Sequence, residues 1–334
     1  MMSGMIRSGK ASLQHLAKQM DEPIDLESRV KKAKRWIMSK WTDTETHFVP
    51  YIVPILRSVS RSGQVRLAID GSDIGKGCSA LMISLIWRNR AIPLVWITRD
   101  APKGHFSTEA HLGVVEQLVM LLDSILEQDC ELILLGDGEF DSDQLQDKCK
   151  SNGWKYVLKT AKNIHIADNP DMEDYSTFKQ MTPEVGHTTI WMPDVYVFQS
   201  GYGMVNALYY HDPKYKEPWY LLTNIDYMPK AVQLYRKRYC IETFFGDIKS
   251  RGFNIHKTRI NDAARLFNLL MVAALAFIVA VLFEFQARRS RLLPMFCRKD
   301  RIDSYSVFQI GLQGLQFYIK SGIPTPFQFS MNFP

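Results

Sequence analysis

Four side chains that could hold a cation and a phosphate recur at helical spacing within residues 231–252. They are Tyr235, Arg238, Glu242 and Lys249, and the last three lie 3, 7 and 14 residues after the first. At about 100° per residue on an α-helix, these offsets place all four side chains within roughly 60° of arc. A carboxylate can bind a divalent cation while a neighbouring guanidinium and ammonium bind phosphate oxygens. The spacing predicts a helix face suited to a metal ion and a polyanion.

The opposite face of this helix is apolar. It carries Leu234, Ile241, Phe245 and Ile248. A packed apolar face would fix the direction in which the polar face points. The alternative is a solvated helix with incidental charge, and two further carboxylates in suitable places would decide between the two interpretations.

The segment that precedes this helix has the pattern of an α/β domain. Three apolar segments bounded by turn residues predict an antiparallel meander, at residues 65–70, 78–87 and 91–98. Next come a predicted helix from Ser107 to Gln128, a strand at 131–137, a helix at about 142–151 and a strand at 154–160. Three strands, helix, strand, helix, strand is the order of an RNase H-like fold.

Two carboxylates fall at the ends of these predicted strands. Asp70 closes the first strand and Asp137 closes the fourth. Sites in open sheets assemble at the carboxyl ends of strands, although the first strand of an RNase H-like sheet contributes from its centre. Each aspartate alone could simply cap a turn. Asp73, Asp141 and Asp143 are competing candidates.

Composition divides the chain into three predicted regions. Residues 1–62 read as a helical, basic region that could bind DNA. Residues 63–286 read as the catalytic domain, interrupted at about 160–226 by a β-rich insertion. Residues 287–334 read as a basic, helical C-terminal tail.

The net charge of +6 conceals a strong division along the chain. Residues 1–62 carry a net +5, residues 63–227 carry −9, and residues 228–301 carry +10. Two basic regions around an acidic, cation-collecting middle indicate a bound polyanion, with ordinary surface charge as the alternative.

The five cysteines are widely scattered, without a CxxC pair or a paired histidine spacing. This pattern predicts neither a zinc site nor a disulfide framework, and it favours a reducing cytoplasm. The N-terminus lacks the pattern of a signal peptide.

One apolar stretch, residues 266–283, has Asn268 as its only polar interruption. It is long enough to cross a membrane. Because it is the only such stretch and has arginines on both sides, we expect a buried central helix and no membrane partner.

Taken together, these residues resemble the DDE transposases of bacterial insertion sequences, and most closely the insertion-sequence 4 family. The family signature Y-x2-R-x3-E-x6-K is met without deviation by the stripe that begins at Tyr235. Similarity extends to IDGSD around Asp70, to LLGDGEFD around Asp137 and to WYLLTN at residues 219–224. It spans about residues 65–285.

The resemblance implies a nucleoid-associated enzyme that cleaves and transfers strands of double-stranded transposon DNA, with a homodimer in the DNA complex. Asp70, Asp137 and Glu242 would hold two Mg²⁺ or Mn²⁺ ions, since hard oxygen ligands favour these metals. Asp70 would be the ligand that both ions share. By resemblance, the remaining signature side chains would contact DNA phosphates, and Trp219 would stack on a base flipped out near the cut. The signature side chains in question are Tyr235, Arg238 and Lys249.

The chain departs from the family pattern at Glu139, where an arginine or lysine is frequent. A further negative charge is therefore expected near the metal site, which leaves Asp141 open as an alternative to Asp137. Two other functions also stay open. One is a metal-dependent nuclease of the same fold without strand transfer, and the other is an inactive, domesticated DNA-binding derivative.

Overall fold

The structure is a computed structural model that describes residues 1–101, 105–123, 125–126, 130–182 and 188–327. Its N-terminal region is helical. The helices are α1 (Met2–Ser8), α2 (Leu13–Lys18), α3 (Leu26–Met38), α4 (Thr44–His47) and α5 (Val49–Ser60). Helix α3 is amphipathic, with Ala33 and Ile37 buried and most of its lysines in solvent. It begins at an Asp25 cap whose carboxylate accepts the Ser28 N–H at 2.9 Å.

The predicted antiparallel meander is confirmed. Its strands are β1 (Gln64–Gly75), β2 (Cys78–Trp87) and β3 (Arg90–Asp100). Strand β2 lies between the other two and is buried at almost every position, which explains its continuous apolar sequence.

The next four elements follow the predicted order. They are α6 (Thr108–Asp123), β4 (Glu131–Gly136), α7 (Asp143–Ser151) and β5 (Lys155–Lys159). The predicted end of α6 at Gln128 lies outside the described residues. Strand β4 runs parallel to both β1 and β5.

Residues 160–226 are rich in strands that continue the same sheet beyond β5. They contain β6 (His165–Ala167), β7 (Ser176–Thr177), α8 (Phe178–Met181), β8 (Thr188–Val197), β9 (Tyr202–His211) and β10 (Trp219–Thr223). Strand β10 pairs antiparallel with β5 on one side and with β9 on the other. These strands also build a small apolar cluster of their own around Phe178 and Leu222.

Within the described residues, ten strands form one sheet in the order β3-β2-β1-β4-β5-β10-β9-β8-β6-β7. The chain is therefore a mixed α/β protein built on one large sheet. Its first five strands have the order and directions expected of an RNase H-like fold.

The single helix predicted for residues 231–252 is wrong in detail. The chain forms α9 (Met228–Tyr235), a tight turn, α10 (Cys240–Gly246) and a π-helical turn (Asp247–Arg251). In the tight turn, the N–H groups of Lys237, Arg238, Cys240 and Ile241 bond carbonyls three residues back, at 2.8 to 3.1 Å. Each such residue advances by about 120° rather than 100°, so the arc calculated for a regular helix does not apply.

A 27-residue helix, α11 (Ala263–Arg289), occupies the centre of the molecule. It packs against β3, α1 and α3. By length and composition it could cross a membrane, but 78% of its most apolar window is buried inside the protein. The expected buried central helix is confirmed.

The C-terminal region is helical, with α12 (Lys299–Ile302) and α13 (Val307–Ser321). Helix α13 packs along α11 and begins at a capping box formed by Ser306 and Gln309. Residues 328–334 of the predicted tail lie outside the described residues.

Candidate active site

Adjacent parallel strands bring Asp70 and Asp137 side by side. The last registered pair between β1 and β4 is Ala68 with Leu135, and each aspartate follows two residues later in the chain. Asp137 comes directly after β4, one residue beyond the end of the strand that it was predicted to close. Asp70 does not close its strand, because β1 continues to Gly75 through antiparallel pairing with β2.

Asp70 is buried beside other acidic groups. Burial, followed by the neighbouring charges of Asp137 and Glu242, raises the pKa of Asp70 to about 7. Arg238 acts in the opposite direction. The three predicted carboxylates are therefore close enough to disturb one another, although they come from β1, the end of β4 and α10.

Arg238 lies among these carboxylates and has only 15% of its side chain exposed. Its Nη1 is 3.9 Å from Asp137 Oδ2, and its Nη2 donates to Glu242 Oε1. One guanidinium thus links the end of β4 to α10 and balances part of the negative charge.

Two observations bear on whether these carboxylates could hold a metal ion. In the part of the chain that the structure describes, no three acidic, histidine or cysteine side chains converge as metal ligands, and Arg238 lies between Asp137 and Glu242. The donors are nevertheless all hard oxygen atoms, and the pKa of Asp70 is raised first by burial and then by neighbouring negative charge, which a cation would offset. The donor set fits Mg²⁺ or Mn²⁺ in its chemistry.

Lys249 extends the site along β1. Its Nζ donates to Ser72 Oγ at 2.8 Å, two residues after Asp70. Burial lowers the pKa of Lys249, while Asp73 and Asp70 act to raise it. The sequence analysis did not select Ser72, although it lies inside the IDGSD run around Asp70.

Tyr235 is 5% exposed, which makes it a buried residue and not part of an open polar face. Burial raises its pKa to about 12. The Arg238 guanidinium carbon lies 5.9 Å from the centre of its ring. Trp219 packs edge-on against the same ring at 5.0 Å and lies 4.5 Å from the ring of Tyr215. An aromatic cluster therefore supports the carboxylate site from the side of β10.

The competing aspartates have local partners. Asp73 accepts a hydrogen bond from Ser79 Oγ at 3.1 Å, and Asp141 accepts one from Thr160 Oγ1 at 2.6 Å. Asp143 is the first residue of α7.

Glu139 has partners of its own beside the candidate site. Its side chain accepts the Phe106 N–H, and its oxygens lie 3.2 Å from His105 Nδ1 and 3.5 Å from His111 Nε2. Burial alone would raise the pKa of Glu139, but these hydrogen bonds hold it below its usual value. The negative charge that was expected at Glu139 therefore lies beside two histidines, His105 and His111.

Glu139 also connects the segment after β4 to the surroundings of Asp70. Its N–H donates to Asp137 Oδ1 at 3.1 Å. The Phe106 ring covers Gly71, where an added Cβ would lie 3.2 Å from that ring. The sequence analysis missed both histidines. His111, which is 2% exposed, could have been noticed because it interrupts the apolar face of α6 at helical spacing from Val114 and Val115.

Comparison with known proteins identifies the family to which the chain is similar. Residues 105–279, just over half of the chain, match the family described as Transposase DDE domain. The matched region contains Asp137 and Glu242 and begins after Asp70. No curated protein matches the chain.

Two similar solved structures are distant. A Marinitoga piezophila Argonaute in complex with guide RNA and target DNA is 11% identical, with a TM-score of 0.26; the match covers 67% of this chain and 33% of that one. A Ciona intestinalis Endonuclease V in complex with DNA is 12% identical, with a TM-score of 0.30, over 58% of this chain and 90% of that one. This chain thus spans about a third of the Argonaute. At these scores neither likeness informs its function.

Proposed function

Because the chain belongs to the Transposase DDE domain family, we propose that it is a transposase that cleaves and transfers the DNA strands of an insertion sequence. The observation that carries this proposal is the approach of Asp70, Asp137 and Glu242 to one another around Arg238. We further propose an RNase H-like core and membership of the insertion-sequence 4 family. The Tyr, Arg, Glu and Lys spacing supports this narrower assignment.

In the proposed mechanism, Asp70, Asp137 and Glu242 would hold two Mg²⁺ or Mn²⁺ ions, and Asp70 would be the ligand common to both. Bound in this way, the ions would activate the attacking oxygen and stabilise the leaving oxygen of a phosphodiester. Arg238, beside Asp137 and Glu242, is placed to neutralise the phosphate oxygens of a bound strand. Lys249, held at Ser72, supplies a second positive charge beside β1.

The proposed partner is double-stranded DNA, bound by a homodimer in the bacterial cytoplasm. Trp219 is proposed to stack on a base unpaired near the cut. Its partly buried ring has aromatic neighbours on β9 and α9, so packing is the competing role. Substituting Trp219→Ala should spare the first nick and reduce any hairpin product; an equal loss of both would assign Trp219 to packing.

The test of the proposed function is a cleavage and strand-transfer assay on the DNA that flanks the gene, with Mg²⁺ and with EDTA. The variants Asp70→Asn, Asp137→Asn and Glu242→Gln each remove ligand charge with little change in volume. Each should slow cleavage by at least about 100-fold, equivalent to about 3 kcal/mol in the barrier, while DNA binding persists.

The matched control is Asp143→Asn, which changes a carboxylate at the start of α7 and should cut normally. Near-normal cleavage by one of the three variants would remove that residue from the proposed triad. Cleavage without any transfer product would favour a nuclease. Binding without cleavage by the wild-type protein would favour an inactive DNA-binding derivative.

A further inference from the structure

A groove of about 640 Å³ separates the N-terminal helices from the segment that follows the π-helical turn. One wall is formed by residues 10–15 and by α3, and the other by residues 253–265. The two walls are joined at the base, where the Ala11 N–H donates to the Phe253 carbonyl at 2.7 Å. Phe253 and Ile37 are buried beneath it. We call this feature the basic groove.

The residues that line the basic groove include five permanent cations and no carboxylate. The cations are Lys10, Lys34, Lys257, Arg259 and Arg265. Arg265 lies 3.8 Å from Asp262. Among the described residues, the other four make no salt bridge within 4.0 Å. Four uncompensated charges around one cleft favour an anionic ligand.

A histidine that lines the groove is also surrounded by positive charge. His15 Nε2 is 3.4 Å from Lys10 Nζ, and its Nδ1 is 2.8 Å from Ser12 Oγ. Burial lowers the pKa of His15, and the positive charges of Lys10 and Lys18 lower it further. The groove therefore disfavours an additional cation.

Close contacts connect the segment that lines the basic groove to the candidate active site. His256 Nδ1 lies 2.6 Å from the Lys249 carbonyl, which ties the turn Ile255–Lys257 to the π-helical turn. The side chain of the same Lys249 reaches Ser72 beside Asp70. At the tip of β1, an added Cβ on Gly75 would lie 3.3 Å from the Ile260 carbonyl. The segment that carries Lys257 and Arg259 therefore contacts both the π-helical turn and β1.

We propose that the basic groove binds the phosphate backbone of duplex DNA outside the cleavage point. A run of phosphates at fixed spacing is the anion that matches several separated cations along one cleft, and such contacts position DNA without reading its sequence. The two walls come from the two basic regions of the chain, which meet here in space. The identification of the polyanion as DNA rests on the proposed function, whereas the groove and its charge do not.

The experiment compares DNA binding by the wild-type protein with that of Lys257→Ala/Arg259→Ala, over a range of salt concentrations and in EDTA so that no strand is cut. The probe is a fluorescent duplex containing the flanking DNA of the gene. The double variant should lower the slope of log affinity against log salt by about 1.8, because each phosphate contact contributes about 0.9. Binding near 0.1 M salt should weaken by about tenfold or more.

The matched control is Lys162→Ala/Lys179→Ala, which removes the same charge from exposed positions near β6 and α8, at the far end of the sheet. It should leave the slope almost unchanged. Both wild-type pairs are exposed, so thermal unfolding should be unaffected in either variant.

The possible results separate failure of the groove proposal from failure of the proposed function. Equal slopes for the wild-type protein and the groove variant would overturn the proposal for the groove, even if the protein binds DNA and cuts it. Equal losses in the groove and control variants would also overturn it, because the effect would then be one of net charge. Absence of DNA binding by the wild-type protein would instead overturn the proposed function.

Discussion

At the scale of single residues, the candidate site depends on how its carboxylates are held as much as on which ones are present. Asp70 lies within β1 and Asp137 directly follows β4, so a connection between their surroundings would help to fix both side chains. Glu139 supplies this connection, since its carboxylate accepts the Phe106 N–H while its own N–H donates to Asp137. Phe106 in turn covers Gly71, which follows Asp70. We infer that Glu139 positions both aspartates.

Replacement of the Glu139 carboxylate should therefore impair cleavage, although Glu139 itself is not proposed to contact DNA. Glu139→Ala should lower cleavage by about tenfold or more and raise the Mg²⁺ concentration needed for half-maximal rate. The loss of a partly buried, charge-assisted acceptor should also reduce the free energy of unfolding by about 1 to 3 kcal/mol. Cleavage rates across a Mg²⁺ titration, together with urea unfolding, measure both effects.

Glu139→Gln keeps an oxygen for the Phe106 N–H and should recover part of the activity. A suitable control is Glu116→Ala on α6, whose carboxylate pairs with Lys148 at the surface. Wild-type activity and an unchanged Mg²⁺ requirement in Glu139→Ala would show that Glu139 has no positioning role. If the alanine variant fails to fold, Glu139→Gln replaces it in this test.

At the scale of elements, a contact with the start of α13 helps to hold the π-helical turn that follows Glu242 and α10. Asp247, fully buried in the π-helical turn, accepts Ser306 Oγ at 2.9 Å and Arg251 Nε at 2.9 Å. Ser306 is the N-cap of α13, and α13 packs on α11. The position of the signature segment thus depends on a helix that lies far along the sequence.

The packing of α13 on α11 is tightest at Gly311. A Cβ added there would lie 1.8 Å from the Ala280 carbonyl oxygen, so Gly311→Ala must push the two helices apart. The overpacking should lower the free energy of unfolding by about 1 to 3 kcal/mol, measured by urea unfolding, although alanine favours helices over glycine.

Gly113, within α6, provides the opposite case, because nothing lies within 4 Å of an added Cβ. Gly113→Ala should stabilise the protein by about 0.5 to 1 kcal/mol. If both substitutions stabilise the protein to a similar extent, the close approach of α11 and α13 is not a feature of the folded chain.

At the scale of the whole molecule, α11 connects the sheet to the helical regions. It packs against β3 on the sheet and against α1, α3 and α13. Asn268, the polar interruption of the apolar stretch, donates its Nδ2 to the Ile37 carbonyl at 3.0 Å, and Glu284 is fully buried beside Arg288. These polar contacts suit a helix surrounded by protein.

The protein should therefore remain in the supernatant when a cell lysate is fractionated by high-speed centrifugation, because most of the apolar surface of α11 is already buried. An integral membrane protein of the same cells serves as the marker for the pellet. Recovery of the chain in a pellet that resists alkaline carbonate would contradict the buried-helix interpretation.

The sequence alone was sufficient for features that depend on local pattern. Alternation and turn residues predicted the meander and the order of the next four elements, because strands and helices impose different periods on buried side chains. Placement of Asp137 directly after β4 followed from the same pattern. The length and apolar composition of α11 were also readable, and its flanking arginines favoured burial over a membrane.

Tertiary structure decided what depends on contacts between distant segments. Pairing with β2 extends β1 past Asp70. The tight turn and the π-helical turn replace the regular helix that was predicted to carry Tyr235, Arg238, Glu242 and Lys249 on one face. The partners of Glu139 and the meeting of two basic regions in one groove join residues far apart in the chain. Hydrogen bonds and charge fields of this kind depend on distances in space, and no local periodicity encodes them.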